Sequence, residues 1–238
     1  MEMLWPSPGV EMTDTELEAL YGYPADRTWV TANFVSSVDG AVTVDGRSAG
    51  LGSPADKKIY LLGRDLADVV LVGAGTVLAE GYRGSRPDVA RRERLGLAPE
   101  LPIAVVTARG TVTPDLPLFT DTAVPPIVIT TARAELPSLP AEVVVAGEDE
   151  VDLGVAVREL EARGLRRINL EGGPKLFGTM VAAGLVDELN LTVSPVLAVG
   201  DAGRIAHGPA GAPADLELRS VLRADDVLLL RYRRRNHS

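Results

Sequence analysis

Cysteine is missing from all 238 residues, and histidine occurs only at His207 and His237. The first absence excludes disulfides, and together they leave zinc little to bind, so no metal site is expected. Positive charge is also in short supply. With 24 Lys and Arg against 33 Asp and Glu the net charge is −9, which argues against a general affinity for nucleic acid or anionic membranes. No apolar run approaches the length of a membrane span, and the opening residues, with Glu2, Glu11 and Asp14 among prolines, form no signal peptide. A cytoplasmic protein is expected. The sequence carries no internal repeat and no low-complexity linker.

What is present suits a full core, since 46% of the residues are apolar. The length allows one large domain or two small ones. Residues 1–28 read as an irregular segment with one short helix, opened by the capping box Thr13-Asp-Thr-Glu16 and running to about Tyr21. Residues 29–238 read as a single domain. Its first strand is Trp29 to Val35, followed by Ser36-Ser37-Val38-Asp39-Gly40, in which Asp39-Gly40 reads as a turn pair. After a glycine-rich loop, Ser53 is a good N-cap and Pro54 fits the first helical position. Ile59, Leu62 and Leu66 then give a helix its apolar face.

Val69 to Val72 reads as a buried strand that runs into Gly73-Ala-Gly75-Thr76-Val77. Pro87 to Leu95 reads as an exposed, charged helix stopped by Gly96. Further strands are expected at Ile103 to Thr107, Ile127 to Thr131, Val143 to Val145 and Glu188 to Ser194, with a helix from Leu153 ending at Gly164. Leu216 to Leu222 and Val227 to Tyr232 flank Asp225-Asp226 as a hairpin. The arginines of Arg231-Tyr-Arg-Arg-Arg235 are expected to form a solvated face. Strands alternating with helices, then strands alone, imply an α/β fold with a mainly parallel sheet and antiparallel strands at its end.

The chain is organised around Arg167-Ile-Asn-Leu-Glu171-Gly172-Gly173-Pro174-Lys175-Leu176-Phe177. A short buried strand, two glycines and a helix opened by proline and closed at Gly184 would aim free N–H groups at a phosphate. Glu171 falls at the carboxyl end of that strand, where open α/β sheets place ligands. The turns at Gly73 and Gly172 both lack a G-x-G-x-x-G fingerprint, because Leu78 and Phe177 stand where glycine would be needed. Two such turns in one sheet favour a dinucleotide. Thr107-Ala-Arg109 and Thr130-Thr131-Ala-Arg133 at strand ends suit a 2′-phosphate, so NADP is preferred to NAD. A side chain at Gly173 is expected to block the cofactor and spare the fold. Asp56 has two readings: charge compensation at a helix N-terminus, or a residue facing the mouth of the first strand. Arg64 lies about two turns further along the same side of that helix.

In combination, Ser36-Ser-Val-Asp39-Gly40, Val72-Gly-Ala-Gly-Thr76-Val-Leu-Ala-Glu80, Leu170-Glu171-Gly172-Gly173-Pro174 and Gly184-Leu-Val-Asp187-Glu188-Leu189 carry a resemblance. From Trp29 to Tyr232 the chain resembles the pyrimidine reductases of riboflavin biosynthesis. These form the C-terminal half of bifunctional deaminase-reductases and are dihydrofolate-reductase-like in fold. The resemblance implies hydride transfer from NADPH to C1′ of a ribosylaminopyrimidine, by a stand-alone, homodimeric reductase. It implies that Ser36, Gly50, Thr76, Glu80, Thr107 and the turn Gly172, Gly173, Pro174, Lys175, Leu176, Phe177 and Thr179 contact the cofactor. Ser48, Arg64 and Glu171 would hold the substrate, with Glu171 as the catalytic candidate that orients the sugar or relays a proton.

One stretch departs from the family. Members read Ala-Asp-Asp-Pro followed by a phosphate-binding arginine, whereas this chain has Ala79-Glu80-Gly81-Tyr82-Arg83-Gly84-Ser85-Arg86. Phosphate binding would fall to Arg83 or Arg86, or the substrate would differ. Pro54-Ala55-Asp56 also resembles the helix start of dihydrofolate reductases, where an aspartate grips the 2-aminopyrimidine edge of a pterin. Asp56 is therefore a substrate-binding candidate and a pterin or folate reductase is the alternative. A third reading is a nucleotide-binding protein without catalysis.

Overall fold

The computed structural model describes residues 1–208 and 213–235, so His237 lies outside the described residues. The chain builds one sheet from β1 (Glu2–Trp5), β2 (Val10–Glu11), β3 (Trp29–Ser37), β4 (Val69–Gly73), β5 (Ile103–Val106), β6 (Ile127–Thr130), β7 (Glu142–Val145), β8 (Arg167–Leu170), β9 (Glu188–Ser194), β10 (Leu216–Ala224) and β11 (Val227–Arg234). The helices are α1 (Asp14–Tyr21), α2 (Pro54–Leu66), α3 (Ala74–Glu80), α4 (Val89–Arg94), α5 (Pro117–Thr120), α6 (Leu153–Ala162) and α7 (Pro174–Ala182). Strand order is β2-β1-β10-β11-β9-β3-β8-β4-β5-β6-β7. From β9 to β7 every pairing is parallel, while β11, β10, β1 and β2 add antiparallel strands at the other edge. This is the α/β architecture that the alternation of elements implied.

Two cores lie on opposite faces of the parallel strands, because successive side chains point to opposite sides. Ala32, Leu71, Ile129 and Leu170 meet α6 and α7 through Leu160, Phe177 and Met180. Val70, Val72, Val105 and Val128 meet Val77, Leu118 and Phe119 on the other face. A third cluster packs Leu17 and Tyr21 of α1 and Ile59, Leu62 and Leu66 of α2 over Leu222 and Leu229.

Residues 1–28 are not irregular apart from their helix: β1 pairs with β10 and carries β2 beside it. Met3 is the buried anchor, with a short apolar run sufficient because β10 offers it an edge. The terminal arginines also correct the expectation of a solvated face. Arg231 shares the inward parity of Val227 and Leu229, and it forms a two-pronged buried pair with Glu188 at 2.6 and 2.8 Å. Burial pushes the Glu188 carboxyl up, opposed by the Arg231 charge. The charged helix α4 is likewise not wholly exposed. Arg92 is fully buried and donates to the carbonyls of Arg64, Asp65, Ala67, Ala98 and Glu100, which closes the end of α2.

Candidate active site

The site lies where β3, β4 and β8 end. β8 delivers Glu171 from a buried strand, and α2 delivers Arg64 from its last turn. Arg64 Nε donates to Glu171 Oε1 at 2.7 Å and Nη2 to Oε2 at 2.7 Å. Tyr60 and Tyr82 hydroxyls reach Oε2 at 2.9 and 2.8 Å, and Asn169 Nδ2 reaches Oε1 at 2.9 Å. The guanidinium also lies over the rings of Tyr60 and Tyr82, 4.7 and 5.6 Å from their centroids. The Glu171 side chain is only 2% exposed.

Burial opposes the Arg64 charge, but the Glu171 carboxylate outweighs it and holds the guanidinium above its ordinary range. Burial and the same carboxylate push both tyrosine hydroxyls well above the usual phenol range. Neither Tyr60, Tyr82 nor Asn169 was singled out from the sequence. Tyr60 stands one helical turn before Arg64, and that i,i+4 spacing was the available signal. Tyr82 had none, because it follows the left-handed Gly81 in a loop.

Next to this cluster, Gly73 N–H donates to the Gly172 carbonyl at 2.7 Å, so the two glycine turns touch. Gly172 has φ +95° and faces the Phe34 ring, while Phe34 packs on Phe177 with centroids 4.6 Å apart. A Cβ on Gly173 would lie 2.5 Å from Thr76 Oγ1. The expectation that a side chain at Gly173 spares the fold is therefore corrected: the turn is also a close packing point between α3 and α7. Helices α1, α2, α4 and α6 are capped by Thr13, Ser53, Asp88 and Asp152, whereas α7 begins at Gly173 with no side-chain cap. Lys175 and Thr179 are exposed on its first turns, and Pro174, Leu176 and Phe177 lead inward.

Ser48 and Glu80 meet, with the Ser48 N–H donating to Glu80 Oε1 at 3.0 Å. Gly50 packs against Val44, and Ser36 is buried near the end of β3. Thr107 is buried and its hydroxyl accepts from the Thr111 N–H at 3.1 Å, while Arg109 is exposed in the same turn. Arg133 is drawn to Glu148 and Asp149. Arg83 and Arg86 share Asp121, at 2.9 and 2.5 Å, with both side chains largely exposed. The Asp56 N–H donates to the N-cap hydroxyl of Ser53, and burial pushes the Asp56 carboxyl up, offset by the Thr192 hydroxyl. Asp39 does more than turn the chain: it accepts from Ser37 and from the N–H groups of Ala198 and Val199, which draw its pKa down to about 2. Among the described residues no cluster of three or more His, Asp or Glu could hold a metal ion.

A family model described as the RibD C-terminal domain matches residues 28–230. The chain belongs to the RibD C-terminal domain family. The resemblance to the pyrimidine reductases of riboflavin biosynthesis is thereby borne out. The 2,5-diamino-6-ribosylamino-4(3H)-pyrimidinone 5′-phosphate reductase of Methanothermobacter thermautotrophicus is 32% identical over 220 residues, 87% of this chain and 98% of that protein. The riboflavin biosynthesis protein RibD of Mycobacterium tuberculosis is 31% identical over 199 residues, 82% of this chain but 48% of that protein. This chain therefore spans about half the length of that relative. A crystal structure of a pyrimidine reductase-like protein from Corynebacterium diphtheriae superposes with a TM-score of 0.76 at 23% identity, over 88% of this chain and 93% of that one. Dihydrofolate reductase from Enterococcus faecalis, complexed with NADP(H), does so with 0.50 at 15% identity, over 87% of this chain and 97% of that one. The reductase fold is dihydrofolate-reductase-like, and a nicotinamide cofactor follows from the family. No helix among the described residues is long and apolar enough to cross a membrane.

Proposed function

We propose that this reductase uses NADPH to reduce the ribosylamino group of a ribosylaminopyrimidine 5′-phosphate to a ribitylamino group. The observation that carries this reading is the meeting of the Arg64–Glu171 pair with the Gly73 and Gly172 turns at adjoining strand ends. The residues fit the cofactor. The glycine turn before α7 carries no side chain of its own, and the uncapped start of α7 suits a pyrophosphate. Thr76, Lys175 and Thr179 supply polar groups around it, and Ser36 and Thr107 stand at neighbouring strand ends. Gly50 lies in the turn that Ser48 opens and Glu80 ends α3 beside it, and Arg109, exposed and without an ion pair among the described residues, suits a 2′-phosphate. The cofactor, when bound, supplies the hydride.

The chain's own part is placement. A carboxylate offers about four lone-pair sites, and Glu171 already receives five donors. It has no site left on which to take up a proton, so we assign it the orienting role on the opened sugar. Ser48 and Arg64 complete the substrate side. Arg83 and Arg86 are our candidates for the 5′-phosphate, since their exposed pairs with Asp121 are weak and a phosphate dianion can replace them. We further propose a cytoplasmic homodimer, formed through the outer face of β10 and β11, where Leu216, Leu218 and Leu228 are exposed.

A second reading, reduction of a dihydropterin, is favoured by Asp56. Among the described residues its carboxyl carries no cationic partner, and burial raises its pKa, as suits a group kept to accept two N–H bonds from an aminopyrimidine edge. The test is product analysis by mass spectrometry after incubation with NADPH and each substrate. A product two hydrogens heavier than the ribosylaminopyrimidine supports the first reading; reduction of dihydrofolate alone replaces it with the second.

A further inference from the structure

Glu171 holds more donors than it has places for. Three of them crowd Oε2: Arg64 Nη2 at 2.7 Å, Tyr82 at 2.8 Å and Tyr60 at 2.9 Å. Any ligand hydroxyl that is to reach this carboxylate must first displace one donor. Four of the five are fixed. Arg64 is two-pronged, and its own carbonyl is held by the buried Arg92. Asn169 sits inside β8 at 1% exposure. Tyr60 is a residue of α2 with the guanidinium over its ring at 4.7 Å. Tyr82 differs. Its backbone follows the left-handed Gly81 that ends α3 and belongs to no helix or strand, and its ring, which packs against the second core, lies farther from the cation at 5.6 Å. It also stands in the stretch where this chain departs from Ala-Asp-Asp-Pro.

We propose that Tyr82 is a specificity-determining residue whose hydroxyl stands in for a substrate hydroxyl on Glu171 Oε2 and is displaced when the sugar binds. The inference rests on the function proposed above. Two hydrogen bonds fall on Oε1 and three on Oε2, so the Tyr82 hydroxyl is the surplus donor that fills the ligand's place on Oε2 while the site is empty. It also sets a threshold. A ligand enters fully only if it brings a hydrogen-bond donor of its own to the same oxygen, as an opened ribose does and a pterin whose N–H edge is taken by Asp56 does not. The price of that selectivity is weaker binding of the correct substrate, because part of its hydrogen-bond energy goes to replacing Tyr82.

The experiment compares the wild-type enzyme with Tyr82→Phe and Tyr60→Phe, using 2,5-diamino-6-ribosylamino-4(3H)-pyrimidinone 5′-phosphate and dihydrofolate as substrates. NADPH affinity and thermal melts serve as controls. Phenylalanine keeps the ring and removes only the competing hydroxyl. The KM of Tyr82→Phe for the ribosylamino substrate should fall about tenfold, the factor that 1.4 kcal/mol represents, with kcat moving less. Its KM for dihydrofolate should stay put, and Tyr60→Phe should give no such fall. A purely structural tyrosine would lower the melting temperature without tightening the substrate. An unchanged or raised KM in Tyr82→Phe, beside an active wild type, overturns this inference and leaves the proposed function standing. A wild type inert on the ribosylamino substrate overturns both.

Discussion

Arg64 and Glu171 stand 107 positions apart in the chain and meet through two hydrogen bonds of 2.7 Å each. The pair is nearly buried, at 14% and 2% side-chain exposure, and it ties the end of α2 to the end of β8. Breaking such a pair by removing one charge leaves the other uncompensated.

Glu171→Gln is accordingly expected to cost about 3–5 kcal/mol of stability. For a domain of this size that is a fall in Tm of roughly 6–20 °C. Turnover should drop with it, because the sugar loses its orienting acceptor. Scanning calorimetry and steady-state kinetics check both, and a variant that melts and works like the wild type contradicts the assignment.

Asp56 separates a helix-dipole role from a ligand-binding one by sign. A dipole role would lower its pKa, whereas burial raises it above 3.8. An acid with a raised folded pKa binds more protons folded than unfolded. Stability is then lost as pH rises from the unfolded value through the folded one. Asp56→Asn should therefore be as stable as the wild type at pH 7 or more so. Its kcat/KM should nonetheless fall about thirtyfold, or roughly 2 kcal/mol, with NADPH binding intact. In the wild type, kcat/KM should rise with pH through the Asp56 pKa, on an acid limb above pH 3.8 that the variant lacks. A destabilised variant with normal kinetics would return Asp56 to the helix cap.

The dimer proposal predicts that Leu228→Glu, on the outer face of β11, yields a monomer that still melts cooperatively. Leu228 is 36% exposed in the single chain, so the charge should not disturb the core. Light scattering on the eluting peak decides it, and a wild type that is already monomeric contradicts the proposal.

The parallel half of the fold was legible because its signals are local. Buried β-branched runs, N-caps and stop glycines gave β3 to β9 and most helices within a few residues. Helix α3 was hidden by Gly73 and Gly75, which read as a turn. β1 and β2 escaped because two- and four-residue strands form only where another strand supplies an edge, and β10 lies more than 200 residues away in sequence. The buried charges were illegible for a similar reason. Arg92 and Arg231 look like surface residues until the carbonyls and the carboxylate that satisfy them are brought together by the fold. At the site, Glu171 and Arg64 were found by position and resemblance, but Tyr60, Tyr82 and Asn169 are defined only by the oxygen they share.

The most direct test of the account is NADPH oxidation by the wild-type enzyme, measured side by side with the ribosylaminopyrimidine 5′-phosphate and with dihydrofolate, and repeated with NADH. The account predicts the higher kcat/KM on the ribosylaminopyrimidine and a preference for NADPH above about tenfold, the size of one charge-assisted hydrogen bond. Turnover of dihydrofolate alone, or equal use of NADH, would contradict it.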